Sequence, residues 1–225
     1  LATDIIVGYP TEKKDDFQDW WYEPAEPYPV KDGIKAHSQS GSFTKNWWAR
    51  RWIQSLTQLM DSSRLSRGKQ YARAGQVISI EVNPGLILAQ VQGTRPQPYR
   101  QRIEIREFTA SEWERALAYL ASQALFSAQL LNGEMPHEID GVFRAAGVSL
   151  FPRSATELVS ECSCADWVRP CVHIVAALHR LGEMLDADPF TMLVLRGRSR
   201  DQLMAELRKP GEPEKGPMDF AASTT

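Results

Sequence analysis

Every cysteine in the chain falls in one short stretch: Cys162-Ser163-Cys164, six intervening residues, then Cys171-Val172-His173. Three thiols and an imidazole form a closed tetrahedral set for one Zn2+, leaving no coordination position for water, which is the structural rather than the catalytic type of zinc site. The competing reading is a set of buried or redox-active cysteines. It is weaker, because all three thiols belong to a single four-ligand pattern. The remaining histidines, His37, His137 and His179, have no cysteine neighbours in sequence. Of these, His179 lies about two turns beyond His173 and is placed to substitute as a ligand.

The ligands need elements that aim them. Leu158, Val159 and Glu161 lead into the first pair as a strand, and alternation along an extended chain puts Cys162 and Cys164 on one side. Pro170 stands where a helix can begin. Ile174, Val175, Leu178, Leu181 and Leu185 continue as an amphipathic helix, whose first turn supplies Cys171 and His173 and favours thiolate through its dipole. The expected unit is a hairpin and a helix joined by metal, with ligation coupled to folding.

Upstream, Trp48, Trp52, Leu56 and Leu59 predict a helix over 45–60. A short basic helix or loop follows over 64–75. Residues 76–106 read as a three-stranded antiparallel meander turned at Asn83-Pro84-Gly85. Thr109 with Glu112 is a capping box opening a helix that runs to about Leu131. Further helices are expected over 138–146, 189–195 and 199–208, the last with a second capping box at Ser199 and Gln202. The fold class is therefore α+β, a small antiparallel sheet packed with helices, plus a C-terminal hairpin-and-helix zinc finger. The expected organisation is an extended aromatic and proline-rich arm over 1–44, an α+β domain over 45–153, the finger and trailing helices over 154–209, and a disordered tail over 210–225.

The chain has 225 residues, 43% hydrophobic and 24% charged, a globular rather than disordered balance. No apolar run reaches the roughly 18 to 20 residues that cross a bilayer, so no membrane partner is expected. Three clustered cysteines and no visible secretory signal point to a reducing, cytoplasmic setting. The net charge of −2 hides an asymmetry. Arg50, Arg51, Arg64, Arg67, Lys69, Arg73, Arg95, Arg100 and Arg102 crowd the segment from 45 to 106, as a phosphate-contacting surface would require, with Tyr71 or Tyr99 available to stack on bases. The same residues also suit a solvated face or an acidic protein partner. Trp20, Trp21, Tyr22 and Tyr28 on the arm suit either docking on a partner or wrapping the chain's own body.

The ligand pattern resembles the SWIM zinc finger, and the chain around it is similar to bacterial SWIM zinc-finger proteins over roughly residues 28 to 208. The segments carrying the likeness include Gly33-Ile34-Lys35-Ala36, Trp47-Trp48-Ala49-Arg50-Arg51-Trp52-Ile53, the run from Arg64 to Val77, Val91-Gln92-Gly93-Thr94-Arg95-Pro96, Ser149-Leu150-Phe151-Pro152 and Leu195-Arg196-Gly197-Arg198. The resemblance implies a nucleic-acid or protein-interaction module, a SWI/SNF-type helicase-like ATPase as partner, and no catalytic residues.

Three functions are thus in view. The first is a zinc-binding adaptor associated with DNA or RNA. The second is a purely protein-binding subunit. The third, an enzyme, is disfavoured, because a closed zinc site holds no activated water and no phosphate loop, nucleophile elbow or dinucleotide fingerprint is present. Glu134 and His137, the one imaginable acid–base pair, read as exposed loop residues. No small-molecule substrate is expected.

Overall fold

A computed structural model describes residues 26–37, 41, 43–132 and 134–208. The tryptophans and tyrosine of the arm at 20–22, and the tail from 210, lie outside the described residues. The elements in order are α1 (Trp47–Leu59), α2 (Ser62–Arg73), β1 (Val77–Asn83), β2 (Leu86–Val91), β3 (Tyr99–Ile105), α3 (Ala110–Ser122), α4 (Ala124–Leu131), α5 (Ile139–Ala145), β4 (Leu158–Cys162), α6 (Val172–Ala187), α7 (Thr191–Leu195) and α8 (Arg200–Leu207). A single 3-10 turn over Ala155–Glu157 leads into β4. Among the described residues no helix is long and apolar enough to cross a membrane.

The sheet is antiparallel in the order β1-β2-β3-β4. The expected meander forms, with Asn83 opposite Leu86 across the Pro84-Gly85 turn. The strand before the cysteine pair forms too, but its partner is β3 rather than a local hairpin arm, with Ile105 opposite Leu158 and Gln101 opposite Cys162. One sheet therefore serves both sides of residue 154, where the sequence alone sets a domain boundary. Strict alternation along β3 buries Tyr99, Gln101, Ile103 and Ile105 on one face and leaves Arg100, Arg102 and Glu104 on the other.

The centre of the molecule is α6. It touches α1 and α2 as well as all four strands, and almost every residue from Val172 to Leu185 is buried. Helix α1 is bound to it by more than apolar packing. The Trp52 indole N–H donates to the Leu178 carbonyl at 3.0 Å and the Trp48 indole to the Leu185 carbonyl at 2.7 Å. The Asp186 carboxylate accepts the backbone N–H groups of Lys45 and Asn46 at the start of α1, in place of a side-chain cap from Asn46 itself.

Both expected capping boxes are present. Thr109 Oγ1 accepts the Glu112 N–H while Glu112 Oε2 accepts the Thr109 N–H, and Ser199 and Gln202 exchange the same pair. The helix expected to run unbroken to Leu131 divides at Gln123 instead. The buried face of α3 is Trp113, Ala116 and Leu120. One continuous helix would carry Ser127 and Leu131 onto that face. The break turns the chain so that Leu130 is buried and Leu131 exposed, and Ser127 Oγ takes up the freed Leu120 carbonyl at 2.9 Å.

The arm's described part lies along its own body. The Tyr28 N–H donates to the Gly93 carbonyl and the Ile34 N–H to the Val77 carbonyl, and Ala36 joins the core.

Helix α2 lies so close to α6 that a methyl group on Gly68 would stand 2.5 Å from Val175 Cβ and 3.1 Å from the Ala176 nitrogen. Relieving that overlap costs about 1–3 kcal/mol, more than the gain of about 1 kcal/mol from replacing a helical glycine with alanine. Gly68→Ala is therefore expected to lower stability by up to about 2 kcal/mol in urea titrations. A stabilised variant would contradict the close approach of α2 to α6.

Candidate metal centre

Cys162 is the last residue of β4, and Cys164 follows in the bend after it. Cys171 is the N-cap of α6, with extended backbone angles, and His173 sits in the helix's first turn. The sheet thus supplies two ligands and the central helix the other two. The four donor atoms lie within 4.8 Å of one another, and Cys171 Sγ stands 3.7 Å from His173 Nδ1. A zinc tetrahedron with bonds of about 2.0–2.3 Å has donor–donor edges of about 3.5–3.8 Å, so an ion fits with little movement. The three cysteines form no disulfide. His179, the substitute by spacing, lies in the core against the Phe43 ring and takes no part in the cluster.

The surroundings suit thiolates. The backbone amides of Cys164, Asp166 and Ile174 donate to the sulfurs of Cys162, Cys164 and Cys171 in turn, and Gln101 Nε2 donates to Cys162 Sγ at 3.4 Å. Without a cation the three sulfurs compete. The Cys171 thiol donates to Cys162 and pulls it down to about 3, against the effect of burial. Giving that hydrogen bond, together with burial, pushes Cys171 up, and burial pushes Cys164 up. Burial and mutual repulsion keep three crowded sulfurs from all ionising alone, so the cluster suits a divalent cation. Fold and donor set together define an α+β protein built round one structural Cys3His zinc site.

The chain is 47% identical over 188 residues to the "Uncharacterized protein Rv2102" of Mycobacterium tuberculosis (strain ATCC 25618 / H37Rv), across 84% of this chain and 68% of that protein. It belongs to that protein's family. No family model matches the chain, and no solved structure matches it.

His173 is held by its neighbours. Tyr71 meets its ring edge-on at 5.5 Å, and Tyr99 lies tilted against it at 4.5 Å. These are the two tyrosines that the sequence offers for base stacking. Tyr99, on the inner face of β3, is buried and has no route to a nucleic acid, whereas Tyr71 on α2 is half-buried. Gly93 closes the far side, where a methyl group would lie 2.7 Å from His173 Nε2.

The basic residues are spread over α1, α2, β3 and the segment before β3. Arg100 and Arg102 are exposed on the outer sheet face beside the cysteine pair; the Arg100 N–H donates to Ser163 Oγ and the Ser163 N–H to the Arg100 carbonyl. Arg102 also pairs with Glu104 at 2.8 Å. Arg64 on α2 reaches the loop between the ligand pairs, pairing with Asp166 at 3.2 Å. Lys69 and Arg73 both donate to the Gly41 carbonyl and lie over the Phe43 ring. Arg95 lies over Tyr99, Arg67 is exposed on α2, and Arg50 and Arg51 are exposed on α1. His137 stacks on Trp47 and, like Glu134, is exposed.

A residue that spacing alone passes over stands out at the site. Trp167, in the loop between Cys164 and Cys171, is 96% exposed, beside half-exposed Val168. The available signal is a tryptophan in a gap too short to reach any core.

Loading the metal-free protein with zinc at pH 7 is expected to release protons from the raised Cys164 and Cys171 thiols. Because those protons must leave, affinity rises with pH and falls on acidification. An indicator-dye titration in weak buffer reads the number, and no release would contradict ligation by the two raised thiols. Gly93→Ala is expected to weaken zinc retention about tenfold against a chelator by displacing the His173 ring. Unchanged retention would remove His173 from the ligand set.

Proposed function

We propose that the chain is a non-catalytic SWIM-type zinc-finger adaptor that contacts DNA or RNA and serves a SWI/SNF-type helicase-like ATPase. The observation that carries this reading is the loop clamped between the two ligand pairs. It presents Trp167 almost wholly to solvent. Exposed Arg169 lies in the same loop, and Arg100 and Arg102 line the adjacent sheet face. An exposed indole on the same loop as an arginine suits stacking on an unpaired base while nearby cations meet phosphates. The closed donor set supports a structural role for the metal and the absence of catalysis.

A second reading has its own support. Val159 and Leu88 are exposed near the same face, and β4 is an edge strand. Exposed apolar groups beside an open edge also suit a protein partner, as in a subunit with no direct nucleic-acid contact.

Fluorescence anisotropy with zinc-loaded protein and a single-stranded oligonucleotide separates the two. The nucleic-acid reading expects affinity to fall steeply between low and moderate salt. It also expects Trp167→Ala to cost about 1–3 kcal/mol, from about fivefold to over a hundredfold in Kd. Flat salt dependence and a silent Trp167→Ala would sink it. If the same substitution then abolished capture of a helicase-like ATPase from the native host, the protein-binding reading would stand.

A further inference from the structure

Apart from the zinc site, a cleft of about 340 Å3 opens between α1, α5 and the segment 149–153. Its walls carry three guanidinium groups, Arg51 from α1, Arg144 from α5 and Arg153, and a single carboxylate, Asp140. Gln58 and Ser149 add neutral polar groups. The lining therefore holds two positive charges in excess, in a chain whose net charge is −2.

The charges are incompletely matched within the protein. Among the described residues no carboxylate pairs with Arg51 or Arg153; Arg51 donates to the neutral Gln54 Oε1 at 3.0 Å. Asp140, with a side chain only 9% exposed, pairs through Oδ2 with Arg144 at 3.5 Å. Its other oxygen, Oδ1, is buried with no hydrogen-bond partner. A buried acceptor left unmatched costs about 1–3 kcal/mol, so a ligand that brings a donor there is favoured.

Guanidinium groups match phosphate oxygens in geometry and charge. A phosphomonoester carries about −1.5 to −2 at neutral pH, which balances the excess in the lining. The volume lies near the lower end of the roughly 300–1,000 Å3 typical of small-ligand sites, and a recess of that size admits a compact group or a chain end rather than the side of a duplex. We infer that this cleft binds a phosphomonoester, with Arg51, Arg144 and Arg153 on the phosphate and Asp140 Oδ1 accepting a hydroxyl or amino hydrogen. A free nucleotide and the 5′-phosphate end of a strand share that chemistry. Neither the metal nor Trp167 enters, so the inference stands or falls separately from the adaptor reading.

Calorimetric titration of the zinc-loaded full chain tests it, using AMP, adenosine, inorganic phosphate, and a short oligonucleotide with and without a 5′-phosphate. Saturable binding of AMP, or of the 5′-phosphorylated strand in preference to its 5′-hydroxyl form, is expected, with none of adenosine. Binding of AMP assigns the free nucleotide as ligand, and binding of the phosphorylated strand alone assigns the strand end. The double variant R51Q/R153Q alters two exposed side chains, so circular dichroism and Tm should not change, while affinity falls about a hundredfold, about tenfold for each guanidinium. Asp140→Asn is expected to weaken AMP more than inorganic phosphate, and equal weakening of the two would remove Asp140 from the donor-accepting role. No saturation by AMP, phosphate or the phosphorylated strand up to about 1 mM, or binding that survives R51Q/R153Q, would overturn the inference.

Discussion

The structure depends on enclosing one helix on all sides. Thirteen of the sixteen residues of α6 are buried between the α1–α2 pair and the sheet, and a helix so placed must be largely apolar around its whole circumference. The run Val172 to Leu185 meets that demand, with Ala176, Ala177 and Gly182 giving neighbours room. The polar groups it still carries need partners within the protein, because water cannot serve them. Arg180 and Glu183 pair with each other inside the fold, and Glu183 also accepts the His37 N–H. The C-terminal carbonyls, which have no partner within a helix, are met by Trp48 and by Asn46 Nδ2. The tryptophans of α1 therefore complete the central helix as much as they bury apolar surface.

The metal serves the other end. Its ligand pairs come from a strand terminus and from the first turn of α6, so ligation ties the sheet to the start of the central helix. The loop closed by the metal is short, and closing a short loop gains little chain entropy. Its effect lies in holding the N-terminus of α6 beside β4, where Tyr71, Tyr99 and Gly93 already form a seat for His173. A finger of this kind does not stand free. Its strand and helix belong to the main sheet and the main core.

The ligand set was legible because chemistry and spacing are local: four donors, two short gaps and a helix pattern suffice. The three meander strands, both capping boxes and the helices at 47–59 and 139–145 were legible for the same reason, each being written in residues a few positions apart. Long-range pairing was not. Nothing near Leu158 says that its partner is Ile105, and the amphipathic reading of α6 did not show that both faces would be covered. The stacking role suggested for Tyr99 failed because side-chain direction on a strand depends on what lies across it. The break at Gln123 carries no proline or glycine and follows from which leucine the core accepts. The resemblance to SWIM proteins pointed to the same four ligands that the structure gathers, while the cleft around Asp140 has residues from three separate elements and no sequence signature.

The indole of Trp52 and the carbonyl it meets are 126 positions apart in the chain. During synthesis at about 5–20 residues per second, α1 and α2 leave the ribosome about 6–25 seconds before α6 exists to cover them. For that interval Trp48, Trp52, Leu56 and Leu65 have no permanent place to pack. Contacts of such separation also slow folding, since loop closure precedes any reward. The nascent segment carrying α1 and α2 is thus a natural client for chaperones, and these helices can settle only once α6 has been made.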